Sequence, residues 1–452
     1  MTGRRSGWRV EVGEAQAAPA SDPGTLIRSS DYRRLLVVAA LVGVVVSLAS
    51  WAFLELLHWI QVWVYEELPQ ALGHDSAPIW WPVPVLVLAG IVTAGAVRLT
   101  GGGGHVPYQG LSGGVTLPNA VPGVLLAALA SIGLGLVLGP EAPLIALGSG
   151  LAIFAVKALR DIPDQAVSVI SASAAFAALA TIFGSPVIGA VILIEAAGLG
   201  GAMLPLILLP GLMSAGIGSL VFVGIGTWTG LDNSDYSLSP FSLPSYPVPT
   251  AVDFAWTLPL SVAAALAVFL VVEAAKVSAR VVARSPWVLT PVAGLVVAAL
   301  AIVFVASTDQ SAEAVLFSGE DAFSALLSQA GSVSGWTLFL LVALKGVAWA
   351  ISLGSFRGGP TFPALFLGAA GGLMAAQLPG FSETPAVAAL MAASTVAVLR
   401  LPLSAVVITL LLTSRSGAGV GPIIIVAAVV AYLTIETLEA VRTRSREGGG
   451  PR

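Results

Sequence analysis

Residues 139–148 read GPEAPLIALG, and residues 359–368 read GPTFPALFLG. The two segments share Gly, Pro, Pro, Leu and Gly at equivalent positions, with an offset of 359 − 139 = 220. A second pair follows, because Pro186 and Pro402 each begin a short apolar run at an offset of 402 − 186 = 216. Such matched interruptions in two halves of an apolar chain are typical of inverted repeats with a binding site between the halves. Chance matching in a chain rich in Gly and Ala is the alternative.

Both Gly-Pro segments predict the start of a helix. Proline suits the first helical turn, where the N–H that it lacks would be unpaired anyway. An apolar run follows each segment, so these helices would begin inside the membrane. The free N–H groups and the positive dipole end of a helix attract anions. Several helix starts aimed at one point would make an anion site without a full positive charge, from which an anion could still be released.

The composition predicts a membrane protein. Hydrophobic residues make up 57% and charged residues 10% of the 452 residues, whereas an ordinary soluble domain has about 25% charged residues. The absence of cysteine excludes disulfides and thiolate chemistry, and the three histidines form no metal-binding motif. No basic stretch with interleaved aromatic residues suggests nucleic-acid binding. We expect no cofactor, no metal site and no enzymatic activity.

Apolar runs predict many helices, of which only some could cross a membrane alone. Crossing takes about 20 residues, and the clearest such runs are Leu35–Trp63, Val83–Leu99, Val121–Leu138, Leu204–Val223, Leu258–Val277, Val288–Ala306, Trp336–Leu353 and Ile423–Leu438. Other runs are shorter and are cut by Gly or Pro, which favours broken and re-entrant helices. The predicted fold class is an all-α polytopic membrane protein with an inverted repeat.

Charge distribution completes the predicted organisation. Acidic stretches without Lys or Arg occur at 66–75, 232–253 and 309–321, whereas basic residues cluster near both termini and at 157–160 and 276–284. The positive-inside rule then places both termini in the cytoplasm of a plasma or inner membrane. The predicted parts are an N-terminal tail (1–34), a first transmembrane repeat (35–226), an external linker (227–253), a second repeat (254–440) and a C-terminal tail (441–452).

Glu141 is the strongest candidate for a functional residue. It is the only acid between Asp75 and Asp161, and it lies between two apolar runs. A carboxylate at membrane depth is costly and usually functional. The alternative is a glutamate that only caps the end of a helix at the membrane interface.

A glycine run forms the third candidate element. Residues 101–107 read GGGGHVP, and glycines let the backbone approach a ligand closely. His105 could donate a hydrogen bond to an anion or respond to pH. A histidine at the interface with satisfied hydrogen bonds is the alternative.

Together the three segments resemble the three anion-selectivity motifs of the CLC chloride channel and antiporter family. The family's GSGIP motif resembles residues 103–107, its GREGP/GKEGP motif resembles residues 139–143, and its GxFxP motif resembles residues 359–363. The resemblance covers about residues 35–440. It implies a CLC-type inverted-repeat fold, a homodimer with one pathway per subunit, and transport of chloride or another small anion, with protons as a further substrate. It also implies that Glu141 is the gate and that the anion site comprises Gly103, Gly104, His105, Val106, Ala142, Thr361 and Phe362.

The sequence departs from these motifs in ways that leave the anion open. Gly104 stands where the family has a serine, His105 replaces a glycine, and Thr361 replaces a phenylalanine. Pro140 and Pro360 each remove a backbone N–H donor.

Two other departures concern proton transfer and the inner end of the pathway. Antiporters of the family typically have a second glutamate just after the position of Glu195, where this chain has Ala196. The family's tyrosine near the C-terminus has no clear counterpart, and Tyr432 is a poor candidate. Channel and proton-coupled exchanger therefore both stay open.

Two further functions were weighed against chloride transport. A fluoride exporter of the same fold is one, because that branch also lacks the internal glutamate and alters the serine position. An intramembrane enzyme is the other, but it would need a nucleophile–base pair or a metal cluster, which the sequence does not offer.

Overall fold

The chain folds into a bundle of helices. The structure, a computed structural model, describes residues 23–98, 104–111, 116–158, 164–196, 198, 204–229, 240–320, 322–328 and 333–447. The α-helices are α1 (Pro23–Ile27), α2 (Ser30–Val62), α3 (Leu68–Ala71), α4 (Pro82–Ala96), α5 (Val121–Ile132), α6 (Glu141–Ala158), α7 (Asp164–Ile182), α8 (Pro186–Ala196), α9 (Leu204–Thr229), α10 (Ala251–Val282), α11 (Pro286–Ser307), α12 (Ala322–Ser328), α13 (Gly335–Ser355), α14 (Thr361–Ala375), α15 (Glu383–Leu399), α16 (Pro402–Leu412) and α17 (Val420–Glu447). A π-helical turn, Trp63–Glu67, joins α2 to α3.

Helix lengths fall into two groups. Within the described residues, six segments are long and apolar enough to cross a membrane: Ser30–Ala71, Leu204–Ile225, Ala251–Val282, Pro286–Ser307, Gly335–Ser355 and Val420–Arg444. Another eight apolar helices are shorter, with 10–17 residues in the parts that are fully described. At 1.5 Å per residue these parts span about 15–25 Å, which is less than the roughly 30 Å hydrocarbon core. The predicted class, an all-α polytopic membrane protein with broken helices, is confirmed.

The two Gly-Pro segments meet at the centre of the molecule. The N–H of Gly139 donates to the carbonyl oxygen of Gly359 at 2.8 Å, and the N–H of Gly359 donates back to Gly139 at 2.5 Å. This antiparallel bridge joins two residues at the 220-residue offset. Equivalent positions of the repeat therefore face each other directly, as expected around a local two-fold axis.

A second exchange supports the same symmetry. The N–H of Val137 donates to Ser352 Oγ at 3.2 Å, and the N–H of Arg357 donates to Ser131 Oγ at 3.2 Å. The offsets are 357 − 137 = 220 and 352 − 131 = 221. Each serine also donates to the carbonyl four residues earlier in its own helix, α5 or α13. Each repeat thus anchors the segment before the Gly-Pro step of the other.

Glycines bring the helices close together. A Cβ atom added to Gly372 in α14 would overlap the backbone of Val387 in α15, and one on Gly294 in α11 would overlap Leu86 in α4. Small residues at helix contacts are the usual means of close packing in membranes, where lipid is as apolar as the side chains.

Several helix ends lie outside the predicted boundaries. Helix α2 begins at Ser30, within the predicted tail 1–34, because the Ser29 side chain accepts from the N–H of Tyr32 and caps it. Helix α10 begins at Ala251, within the predicted linker 227–253, behind a capping box formed by Thr250 and Asp253. Helix α17 continues to Glu447. The division into five parts stays a prediction with these shifted ends.

Candidate anion-binding site

The side chain of Glu141 lies at the N-terminus of another helix. Glu141 is the first residue of α6 and is completely buried. Its Oε1 accepts a hydrogen bond of 2.5 Å from the backbone N–H of Thr361, the first residue of α14. Helix N-termini carry unpaired N–H groups and a partial positive charge, and they bind anions. The carboxylate therefore lies where a small anion could bind.

Two glycines make room for this carboxylate. A Cβ atom on Gly359 would overlap the Glu141 carboxyl group, and one on Gly139 would overlap Oε2 of the same group. The carboxyl group is thus packed directly against both strands of the Gly139–Gly359 bridge. Alanine fits at neither position without moving the carboxyl group.

Two polar atoms at this point lack hydrogen bonds. Among the described residues, neither Oε2 of Glu141 nor Oγ1 of Thr361 has a hydrogen-bond partner, although both atoms are buried. An unpaired buried polar atom costs about 1–3 kcal/mol. The Thr361 hydroxyl could donate to an anion, and Oε2 of Glu141 could accept a proton, so the site can bind both an anion and a proton.

Phe362 forms a wall of the site. Its ring is completely buried and stacks on Phe183 at 5.5 Å between centroids and 15° between planes. Phe183 follows the end of α7, so this contact joins α14 to the first half of the chain. This side of the site is therefore apolar.

A small cavity adjoins this carboxylate site. It has a volume of about 50 Å³, and its lining includes Gly104, His105, Thr116, Ala142 and Arg357. Ala142 directly follows Glu141. The predicted residues Gly104, His105 and Ala142 therefore come together around one cavity beside the predicted gate.

The described part of the GGGGHVP segment, residues 104–107, is held by a contact with the turn that follows it. Gly104 has a φ of +89°, which suits glycine. The ring Nε2 of His105 lies 3.0 Å from the carbonyl oxygen of Gly110. Val106 precedes the 3₁₀ turn Pro107–Gln109 and does not line the cavity. The predicted residue Gly103 lies outside the described residues.

Arg357 lies at this cavity and was not among the predicted site residues. Its side chain lines the same cavity, and its Nε is buried without a hydrogen-bond partner among the described residues. The expectation of an anion site without a full positive charge stays a prediction, and Arg357 places a guanidinium group at the cavity beside that site. A single arginine just before the third motif was the available signal, by the same reasoning that selected Glu141.

At the predicted inner end of the pathway, the Glu195 side chain caps a helix. Both carboxylate oxygens of Glu195 cap α16, accepting from the N–H of Leu403 at 2.9 Å and from the N–H of Ser404 at 2.7 Å. Ala196 ends α8 beside it. Tyr432 packs against the core from α17. No group of three or more potential metal ligands occurs within the described ranges.

A larger cavity of about 400 Å³ lies apart from these residues. Its lining includes His58, Glu66, Gln310, Glu313 and Phe366, and none of the predicted site residues. Volume alone would favour this cavity, but the helix start and the buried carboxylate give the smaller site its anion chemistry.

Comparison with known proteins agrees with the motifs. The family model described as "Voltage gated chloride channel" matches residues 108–436, most of the chain. The chain belongs to this family. CLC-type anion transport, the predicted function, is thereby confirmed at the level of the family.

Individual relatives are more distant. YfeO of Escherichia fergusonii, whose name assigns it to ion transport, is 27% identical over 354 residues, which cover 75% of this chain and 78% of YfeO. A slow cyanobacterial Cl⁻/H⁺ antiporter has a similar fold, with a TM-score of 0.72 and 19% identity over 90% of this chain and 95% of its own. A CLC-type fluoride/proton antiporter has a TM-score of 0.63 and 18% identity over 89% and 95%. These structures share the CLC fold.

Proposed function

We propose that this CLC protein moves small inorganic anions through the site at the starts of α6 and α14, with Glu141 as the gate. The observation that carries the proposal is the hydrogen bond from the Thr361 N–H to the Glu141 carboxylate. An anion cannot share this position with a carboxylate, because two like charges repel strongly in a medium of low dielectric constant. The anion binds when the carboxyl group leaves or becomes neutral.

Protons are the second proposed substrate. Oε2 of Glu141 has no donor among the described residues and is free to take a proton. Protonation removes the negative charge and so weakens the hold of the Thr361 N–H on the side chain. Ala196 stands at the usual position of the internal glutamate, so the proposal includes pH-dependent gating but no fixed exchange ratio.

Chloride is the first candidate anion and fluoride the second. Gly104 brings no hydroxyl to the site, and Thr361 Oγ1 and backbone N–H groups are the donors that replace it. The anion passes through chemically unchanged, so transport and not catalysis is the proposed activity.

The placement in the membrane is also part of the proposal. Arg280, Arg284 and Arg442 lie near helix ends opposite to the acidic stretches at 66–75 and 309–321, which supports cytoplasmic termini by the positive-inside rule. Many large apolar side chains are exposed on the long helices, as lipid contact requires. The proposal also includes a homodimer with one pathway per subunit, which the resemblance to the family motifs implies.

Anion flux from proteoliposomes tests the proposal. The purified protein is reconstituted, and efflux of chloride, fluoride and nitrate is measured with and without a pH gradient. We expect efflux of at least one of these anions above that of protein-free liposomes, and a dependence on pH. No efflux of any anion under any gradient would contradict the proposal.

A further inference from the structure

The fold does not need a charged side chain at position 357. Val137 is the repeat-equivalent residue, and its N–H bonds to a serine just as the N–H of Arg357 does. Val137 is completely buried and apolar. Valine therefore makes the equivalent backbone hydrogen bond in the first repeat, so this bond does not require an arginine. The guanidinium group of Arg357 is a difference between the two repeats.

This guanidinium group has few partners. Its Nη1 donates to the carbonyl oxygen of Phe356 at 3.0 Å, and its Nε is buried without a partner. Among the described residues, no Asp or Glu forms an ion pair with Arg357, and this includes Glu141, although its neighbour Ala142 lines the same cavity. Arg357 is only partly buried, but its Nε is shielded from solvent, and a charged donor without water or a partner is costly. The side chain is therefore suited to a counter-ion that is not part of the protein.

The cavity beside Arg357 has room for such a counter-ion. Its volume of about 50 Å³ is several times the roughly 10–15 Å³ that a single water molecule requires. Among the described residues that line it, Arg357 and His105 are the ones that can carry a charge, and the others include Gly104, Thr116 and Ala142. The cavity therefore has room for one small anion.

The free edge of the Arg357 guanidinium group determines which kind of anion fits best. Nη1 donates to the Phe356 carbonyl. The Nε–H, which has no partner among the described residues, lies parallel to one N–H of Nη2 along one edge of the planar guanidinium group. This edge matches two oxygen atoms of a planar oxyanion, whereas a spherical halide accepts at a single point. We infer that the Arg357 cavity is an anion subsite beside the Glu141 gate that prefers a small planar oxyanion, nitrate or bicarbonate, over chloride. This inference rests on the proposed function, since it names the anions that reach the gate.

Binding to the purified full-length protein tests the subsite. Nitrate, bicarbonate and chloride are titrated calorimetrically into wild type, Arg357→Lys and Arg357→Gln, with Arg98→Gln as the control. Arg98 is exposed and lies over the Trp287 ring, away from the cavity. We expect wild type and the control to bind both oxyanions at least about tenfold more tightly than chloride. Lysine keeps the positive charge but lacks the planar edge with two parallel N–H donors. Arg357→Lys should therefore lose the preference for oxyanions over chloride.

The outcomes separate the subsite from the transport function. Arg357→Gln should weaken oxyanion binding about tenfold or more, and Arg357→Lys covers the case in which the glutamine variant does not fold. Oxyanion binding and preference that are unchanged in Arg357→Lys would overturn the subsite. Chloride flux in that variant would then still support the proposed function. A wild type that binds nitrate through Arg357 but passes no anion would instead contradict the proposed function.

Discussion

At the residue scale, the Glu141 carboxyl group depends on the absence of a side chain at Gly359. A Cβ atom there would overlap the carboxyl group, so Gly359→Ala should push it away from the Thr361 N–H. We expect higher chloride efflux at neutral pH and at least about a twofold weaker dependence on pH, measured in proteoliposomes.

Gly216→Ala is the matched control, because a Cβ atom at that glycine of α9 meets nothing within 4 Å. Its efflux and pH profile should equal those of wild type. If Gly359→Ala also behaves like wild type while remaining folded, the carboxyl group does not occupy the anion position during transport.

His105 supports a separate prediction about pH. Its Nε2 is held by the Gly110 carbonyl, so a neutral ring that donates there has only a lone pair on Nδ1, and protonation turns Nδ1 into a donor for an anion. Burial lowers the pKa of His105 below its usual value of about 6.5. Efflux should therefore rise as the pH falls below about 6.5, and His105→Ala should flatten this component and change the relative rates for different anions.

The pH-dependent part of the efflux that is assigned to His105 is best measured in the Glu141→Gln background, where the gate no longer titrates. His74→Ala is the control, since His74 is exposed and packs edge-on against Trp80. A His105→Ala protein with unchanged pH profile and anion selectivity would mean that the histidine only closes its own turn.

The search for isolated charges in apolar sequence selected Glu141 but was not carried far enough. The same reasoning applies to Lys345, a single lysine inside the apolar run Trp336–Leu353, and to Arg357 just beyond it. What the sequence could not reveal is which charge meets which partner. That Arg357 shares a cavity with Ala142 depends on the antiparallel bridge, which joins residues 220 positions apart.

At the scale of elements, Lys345 ties α13 to the turn before α12. The completely buried Nζ donates to the carbonyl oxygens of residues 314–317, at 3.0, 3.3, 2.7 and 3.2 Å, and it lies 4.6 Å from the Phe366 ring centroid. Lys345→Met would leave these buried acceptors without their donor. We expect a loss of at least about 2 kcal/mol in the free energy of unfolding, seen as a lower thermal midpoint in detergent.

Lys276→Met is the comparison for Lys345. Lys276 forms a partly exposed ion pair with Glu273 at 2.7 Å, and such pairs contribute about 0–1 kcal/mol. Equal thermal midpoints for the two variants would show that the turn at 314–317 does not depend on the lysine.

Short helices were predictable as elements, but their ends were not. Pro186 and Pro402 mark the starts of α8 and α16 as the sequence indicated. The start of α2 at Ser30 and that of α10 at Ala251 depend on side-chain caps within polar stretches. A hydropathy pattern assigns such polar first turns to the neighbouring loops. The predicted boundaries at residues 34 and 253 therefore differ from the observed helix starts by several residues.

At the scale of the whole molecule, the absence of cysteine makes the predicted topology simple to test. Single-cysteine variants His74→Cys and Gln310→Cys in the acidic stretches should react with a membrane-impermeant maleimide on intact cells. Arg284→Cys, in a basic stretch, should react only after the membrane is opened. Labelling of Arg284→Cys on intact cells would reverse the predicted orientation and the cytoplasmic placement of the termini.

The central claim is that Glu141 is a carboxylate gate that competes with the transported anion. The most direct test compares the pH dependence of chloride efflux for wild type, Glu141→Gln and Glu383→Gln in proteoliposomes. Glu383 is a matched control, because it also lies in the first turn of a short apolar helix, α15. Glutamine imitates the neutral gate, so Glu141→Gln should keep its efflux and lose the dependence on pH and any proton coupling, apart from the smaller component assigned to His105. Glu383→Gln should behave like wild type. A Glu141→Gln protein that conducts chloride with the full pH dependence of wild type would contradict the account.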